Sequence, residues 1–157
     1  MQKAAITVLA AVLSCLTAGA QSKIHLQGAW RVTELIRTGD KAGANSNPQP
    51  GLFLFTAKHY SLAVVRSDQP RPELPSDPAK ATAGELNAVY DSFGANSGTY
   101  EISGDRLIFH PIVAQNPAGM RPGHFLTYLM KLEGKTLSLS EVNIRRYPFT
   151  YRLTRVE

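Results

Sequence analysis

The chain reads as an all-β domain of about eight short antiparallel strands, and three observations carry that reading. Apolar and polar residues alternate with period two along most of the sequence, the pattern of strands with one buried face. Two- and three-residue turns join several of these segments. The strands recur at spacings regular enough for a closed up-and-down barrel or a sandwich. Closure would remove the exposed edges that a sheet without disulfides otherwise carries.

The first predicted strand is Gly28–Thr38. Gly51–Thr56 and His59–Arg66 form a hairpin across Ala57-Lys58. Gly98–Ser103 turns into Arg106–Ile112 through Gly104-Asp105, where a leading Gly favours a type II′ turn. Leu126, Tyr128, Met130 and Leu132 make one uninterrupted apolar face. After the turn Glu133-Gly134-Lys135, Leu137 and Leu139 alternate with Thr136, Ser138 and Ser140. Phe149–Val156 is the last strand. Gly39–Pro50 is a polar loop, and Ser67–Asp77 is another, with Pro70, Pro72 and Pro75 barring a central strand. One helix is predicted over Pro78–Phe93, between the third and fourth strands. Asp77 is its cap, Pro78 its first position and Gly94 its stop. Leu86, Val89, Tyr90 and Phe93 share one face of it, which is expected to cover the barrel mouth.

The N-terminus reads as an address. Lys3 precedes the apolar run Ala4–Leu13, and Ala18-Gly19-Ala20 supplies small residues for cleavage. Residues 1–20 are therefore expected to be a signal peptide, with a mature chain starting at Gln21 in the periplasm or outside the cell. The alternative is a lipid anchor at Cys15, in the imperfect lipobox Val12-Leu13-Ser14-Cys15. No apolar stretch approaches the roughly 18–20 residues of a membrane-spanning helix. Cys15 is the only cysteine, so a mature chain from Gln21 forms no disulfide. About 137 residues then remain, which suits one domain over residues 26–157. Removing Lys3 lowers the formal charge from +5 to +4, a dispersed excess that argues against a nucleic-acid partner.

Chemistry-bearing residues are sparse. His25, His59, His110 and His124 form no His-x-His or His-x₃-His pair, so no metal site is expected. There is no Gly-x-Ser-x-Gly elbow, phosphate loop or dinucleotide fingerprint, and no cofactor is expected. Most carboxylates fall in loops or caps; only Glu34 shares the Trp30/Val32 face, where it could meet a ligand but is expected near the barrel rim in water. The Arg145-Arg146 pair reads as a solvated turn. Strand parity groups His110 with Ile108 and Ile112, Tyr100 with Ile102, and Tyr151 with Leu153. If those faces point inward, Tyr100, His110, Tyr128 and Tyr151 line a ligand cavity with apolar walls and a few polar handles. If Leu107 and Phe109 face inward instead, His110 lies on the surface.

Leu26-Gln27-Gly28-Ala29-Trp30-Arg31-Val32 resembles the Gly-x-Trp opening of lipocalins and fatty-acid-binding proteins. More specifically, the chain resembles the bacterial lipocalin-like domain family, a calycin-type barrel. The matching pieces are Gly51-Leu52-Phe53-Leu54-Phe55-Thr56, Gly98-Thr99-Tyr100, Ile108-Phe109-His110, Asn116-Pro117 and Leu137-Ser138-Leu139. The resemblance implies an eight-stranded barrel with an interior cavity. It also implies that Gly28 and Trp30 close one end, with an arginine of the last strand over the Trp ring. Shared parity with Phe149, Tyr151 and Leu153 makes that arginine Arg155. The function expected is binding of a small, mainly hydrophobic ligand. The alternatives are an isomerase or cyclase acting in the same cavity, or a structural barrel with a filled core. No catalytic residue is nominated; in the isomerase or cyclase reading His110 or a tyrosine would serve as acid or base.

Overall fold

The computed structural model describes residues 25–38, 42–142 and 149–157; the segment 1–20, Cys15 and the Arg145-Arg146 pair lie outside them. Nine strands are described: β1 Gly28–Arg37, β2 Gly43–Asn45, β3 Gly51–Phe55, β4 His59–Val65, β5 Phe93–Ser103, β6 Arg106–Ala114, β7 Leu126–Glu133, β8 Thr136–Glu141 and β9 Phe149–Arg155. Among the described residues one α-helix, α1 Ala83–Asp91, joins β4 to β5. Eight of the strands follow one another around a ring in the order β1, β3, β4, β5, β6, β7, β8, β9, and β9 pairs back onto β1. This return decides for an up-and-down barrel over a sandwich. The short β2, in the stretch expected to be loop, pairs with the far half of β1 from Leu35↔Asn45 to Arg37↔Gly43 and stands outside the ring.

The two ends of the barrel are built differently. At one end lie the short links β3–β4, β5–β6 and β7–β8. Gly104 and Gly134 each take positive φ, +61° and +58°, while no non-glycine among the described residues does. The two-residue turns Gly104-Asp105 and Gly134-Lys135 therefore match type II′ rather than type I′. At the other end lie all the long connections, including α1.

The interior near the short turns is solid. Trp30, Phe53, Phe109, Leu107, Leu137, Leu139 and Leu153 are fully buried. Tyr60 stacks on Phe109 at 3.8 Å between ring centroids, and Phe55 stands edge-on to Tyr100 at 5.4 Å. Trp30 lies at the centre of this end. Its indole N–H donates to the Leu26 carbonyl at 2.7 Å, so the buried ring leaves no orphan donor. The Arg155 guanidinium lies 4.3 Å from the Trp30 ring centroid and also donates to the carbonyls of His25 and Gln27. Gly28 holds φ +121°, and a Cβ there would strike the Glu157 carbonyl, so the entry to β1 requires glycine.

Two local features depart from the sequence reading. A β-bulge falls between Val32 and Glu34 on β1 where it pairs with β9. The extra residue reverses parity, so Leu35 takes the inward position and Glu34 turns outward to meet Arg152 at 2.5 Å. The helix is shorter than Pro78–Phe93. Asp77 caps a 3₁₀ turn, Pro78–Lys80, and α1 has its own start at Thr82. The Thr82 hydroxyl accepts from the Glu85 N–H while the Glu85 carboxylate accepts from the Thr82 N–H, a capping box. Ser92 ends the helix and Gly94 belongs to β5. The apolar face is not buried: Leu86 and Tyr90 are 46% and 45% exposed.

Arg155→Ala should therefore lower stability by about 1–2 kcal/mol, through loss of a cation over an aromatic face and of the stem packed on it. Urea denaturation at neutral pH measures this. Arg155→Met, which restores packing without charge, should recover part of the loss. Equal midpoints for Arg155→Ala and the parent would refute the role.

Candidate functional site

The interior stops being solid toward the end with the long connections. A cavity of about 260 Å³ opens there. Its wall comes from strand ends that converge on this side: Arg66 just beyond β4, Gly94 and Asn96 on β5, Leu126 and Tyr128 on β7, Glu141 on β8, and Phe149 and Tyr151 on β9. His124 stands on the connection before β7, and Tyr90 and Phe93 border the cavity from the α1 side. Reciprocal hydrogen bonds hold that rim: the Tyr90 hydroxyl donates to the Gln115 carbonyl at 3.3 Å, and the Gln115 amide donates to the Tyr90 carbonyl at 2.8 Å. Burial of the helix face plays little part in this cover.

Polar groups on the wall set its chemistry. Tyr128 and Tyr151 are buried, and burial drives both phenol pKa values upward. For Tyr128, the neighbouring Tyr151 and Glu141 add to the rise; for Tyr151, Arg66 opposes it. Both hydroxyls therefore stay neutral O–H groups at physiological pH. Tyr60, deeper in the barrel, donates to Asn96 Oδ1 at 2.6 Å and so leaves the amide nitrogen of Asn96 to donate elsewhere. Two buried atoms of the lining residues, Arg66 Nε and His124 Nε2, have no hydrogen-bond partner among the described residues. Natural interiors rarely leave such groups unpaired, because their desolvation is then uncompensated.

The sequence-predicted set divides. Tyr128 and Tyr151 line the cavity. Tyr100 does not: it lies at the opposite end, where its hydroxyl donates to the Thr56 carbonyl at 2.8 Å. His110 is on the outer surface, its side chain 45% exposed and Nε2 3.3 Å from Glu101. The physical reason is register. Tyr100 pairs with Phe109 and Ile102 with Leu107 across the Gly104-Asp105 hairpin, so Leu107 and Phe109 point inward and His110 points out. Tyr100 and His110 could not both face the interior. Gly28, Trp30 and Arg155 come together at the end away from the cavity.

Arg66, His124, Asn96 and Glu141 escaped sequence reasoning. His124 and Glu141 sit at or beyond strand ends, and Arg66 reads as a polar strand terminus. One signal was available for Arg66. A Cβ at Gly94 would lie 2.4–2.6 Å from its guanidinium, so the glycine taken for a helix stop is the space into which Arg66 fits.

No protein-family model matches the chain, and no curated protein matches it. Among solved structures it is similar to a lipocalin-like protein from Bacteroides uniformis, at 12% identity and a TM-score of 0.46 over 83% of this chain and 97% of that one. An uncharacterized protein from Bacteroides eggerthii is similar at 11% identity and a TM-score of 0.42, over 80% of this chain and 97% of that one. No residue of the site is assigned from either.

The buried phenols make a pH prediction. Their folded-state pKa values lie above the unfolded value of about 10, so the unfolded chain binds fewer protons once pH exceeds 10. Stability should stay level from pH 7 to 9, then fall as pH rises through 10 and above. Urea midpoints across this range measure it, and Tyr151→Phe should make the alkaline fall shallower. An unchanged midpoint at pH 11 would contradict the assignment.

Proposed function

We propose that this protein is an exported barrel that binds one small molecule in the cavity at its long-loop end. The observation that carries the reading is the 260 Å³ cavity itself, lined by the polar side chains of Arg66, Asn96, His124, Tyr128 and Tyr151. A barrel filled only for stability would be expected to place apolar side chains there, as it does around Trp30. A ligand in the cavity meets the polar side chains of that lining. The cavity mixes such groups with the rings of Phe93 and Phe149, so the ligand joins an apolar body to a polar part. The acid–base chemistry that an isomerase would need has no support from His110, which faces outward.

Export rests on the sequence: the charged start, the short apolar run and Ala18-Gly19-Ala20. Intact-mass measurement of the exported protein should give a chain starting at Gln21 with no lipid; a diacylated Cys15 terminus would replace this with the anchored form.

Native mass spectrometry of protein recovered from its own envelope should show one bound small molecule per chain, released on unfolding. An apolar reporter dye small enough for the cavity should bind at about one per chain and raise the melting temperature. Tyr128→Trp, which fills the cavity, should abolish dye binding, whereas Ser138→Ala should not. A bare chain in the spectrometer together with no dye binding would leave the structural reading in its place.

A further inference from the structure

The geometry points to a compact aryl carboxylate as the ligand of this cavity, its carboxylate held by Arg66; the inference rests on the small-molecule reading above and names the chemical class. Arg66 is the cation on the wall that cannot lose its proton. Arg66 lines the cavity beside the Tyr151 hydroxyl, to which it hydrogen-bonds, and a carboxylate placed there would take short, charge-assisted bonds from the guanidinium. The hydroxyls of Tyr128 and Tyr151 and the amide of Asn96 add donor groups on the same wall. Such a surplus of donors selects a ligand end rich in acceptors. Glu141 is also on the wall but is already engaged, and Asp91 stands at the exposed rim.

Size and shape narrow the class further. At roughly 30 Å³ per water, 260 Å³ corresponds to about nine waters, so the ligand has on the order of ten non-hydrogen atoms. The rings of Phe93 and Phe149, with Leu126 and Pro111, offer an apolar side suited to one aromatic ring. Gly94 belongs to the device, since any side chain there would push the guanidinium from its place.

Calorimetric titration of the intact mature chain with 3-phenylpropanoate and with its primary amide tests the assignment. The acid should bind about tenfold or more tightly than the amide, since only the acid forms the charged pair. Arg66→Met should remove that preference, with an unchanged far-UV circular dichroism spectrum reporting an intact fold. Gly94→Ala, which displaces the guanidinium without deleting it, should weaken the acid selectively. Equal binding of acid and amide, unaltered by Arg66→Met, would overturn the anion assignment and leave the small-molecule reading standing. Loss of both probes in Arg66→Met would show a structural arginine, which also overturns it. Failure of every acid and amide in the parent chain overturns it as well, and the dye and mass measurements then decide the broader reading separately.

Discussion

Closure of the sheet, the pairing of β1 with β9, is the constraint on which the remaining features depend. Its register runs from Trp30↔Arg155 to Arg37↔Phe149, with one bulge, and it joins the first and last strands of the domain. A barrel has no edge to protect, and for a domain without a disulfide that removes a standing route to aggregation. The pairing also sets Arg155 over Trp30 and brings Tyr151 and Phe149 to the opposite end. Stability and the candidate site are thus two ends of the same strand.

The asymmetry between the ends explains where a ligand can go. Short hairpin links draw the strands together around Trp30, and large aromatic residues fill the space completely. Long connections release the other end, and side chains there leave a gap. The wall of that gap is less apolar than an interior of alternating strands suggests. Arg66, Asn96 and Glu141 sit where strands begin or end, and strand termini tolerate polar residues that strand centres exclude.

How far the sequence exposed the molecule depended on whether local rules were sufficient. The apolar face Leu126–Leu132 led directly to Tyr128 in the interior, because four alternate apolar residues leave one choice of face. The hairpin at Gly104-Asp105 offered two apolar faces, Leu107/Phe109 and Ile108/Ile112, and alternation could not choose between them. Pairing with Tyr100 and Ile102 made the choice. The face shared with Trp30 and Val32 passes from Glu34 to Leu35 at a bulge, which period-two counting cannot detect. The helix start was legible in Thr82-Ala83-Gly84-Glu85, yet Asp77-Pro78 offered a competing cap that serves only a 3₁₀ turn.

The sequence by itself determined the strand content, the short turns, the inward placement of Tyr128 and the parity of Arg155 with Tyr151 and Leu153. Each follows from alternation or turn chemistry within a few residues. Only the tertiary structure decided that Arg66, Gly94, His124, Tyr128 and Tyr151 meet around one cavity. These residues lie on β4, β5, β7 and β9 or on the connections beside them. Only ring closure and strand register place such distant positions side by side.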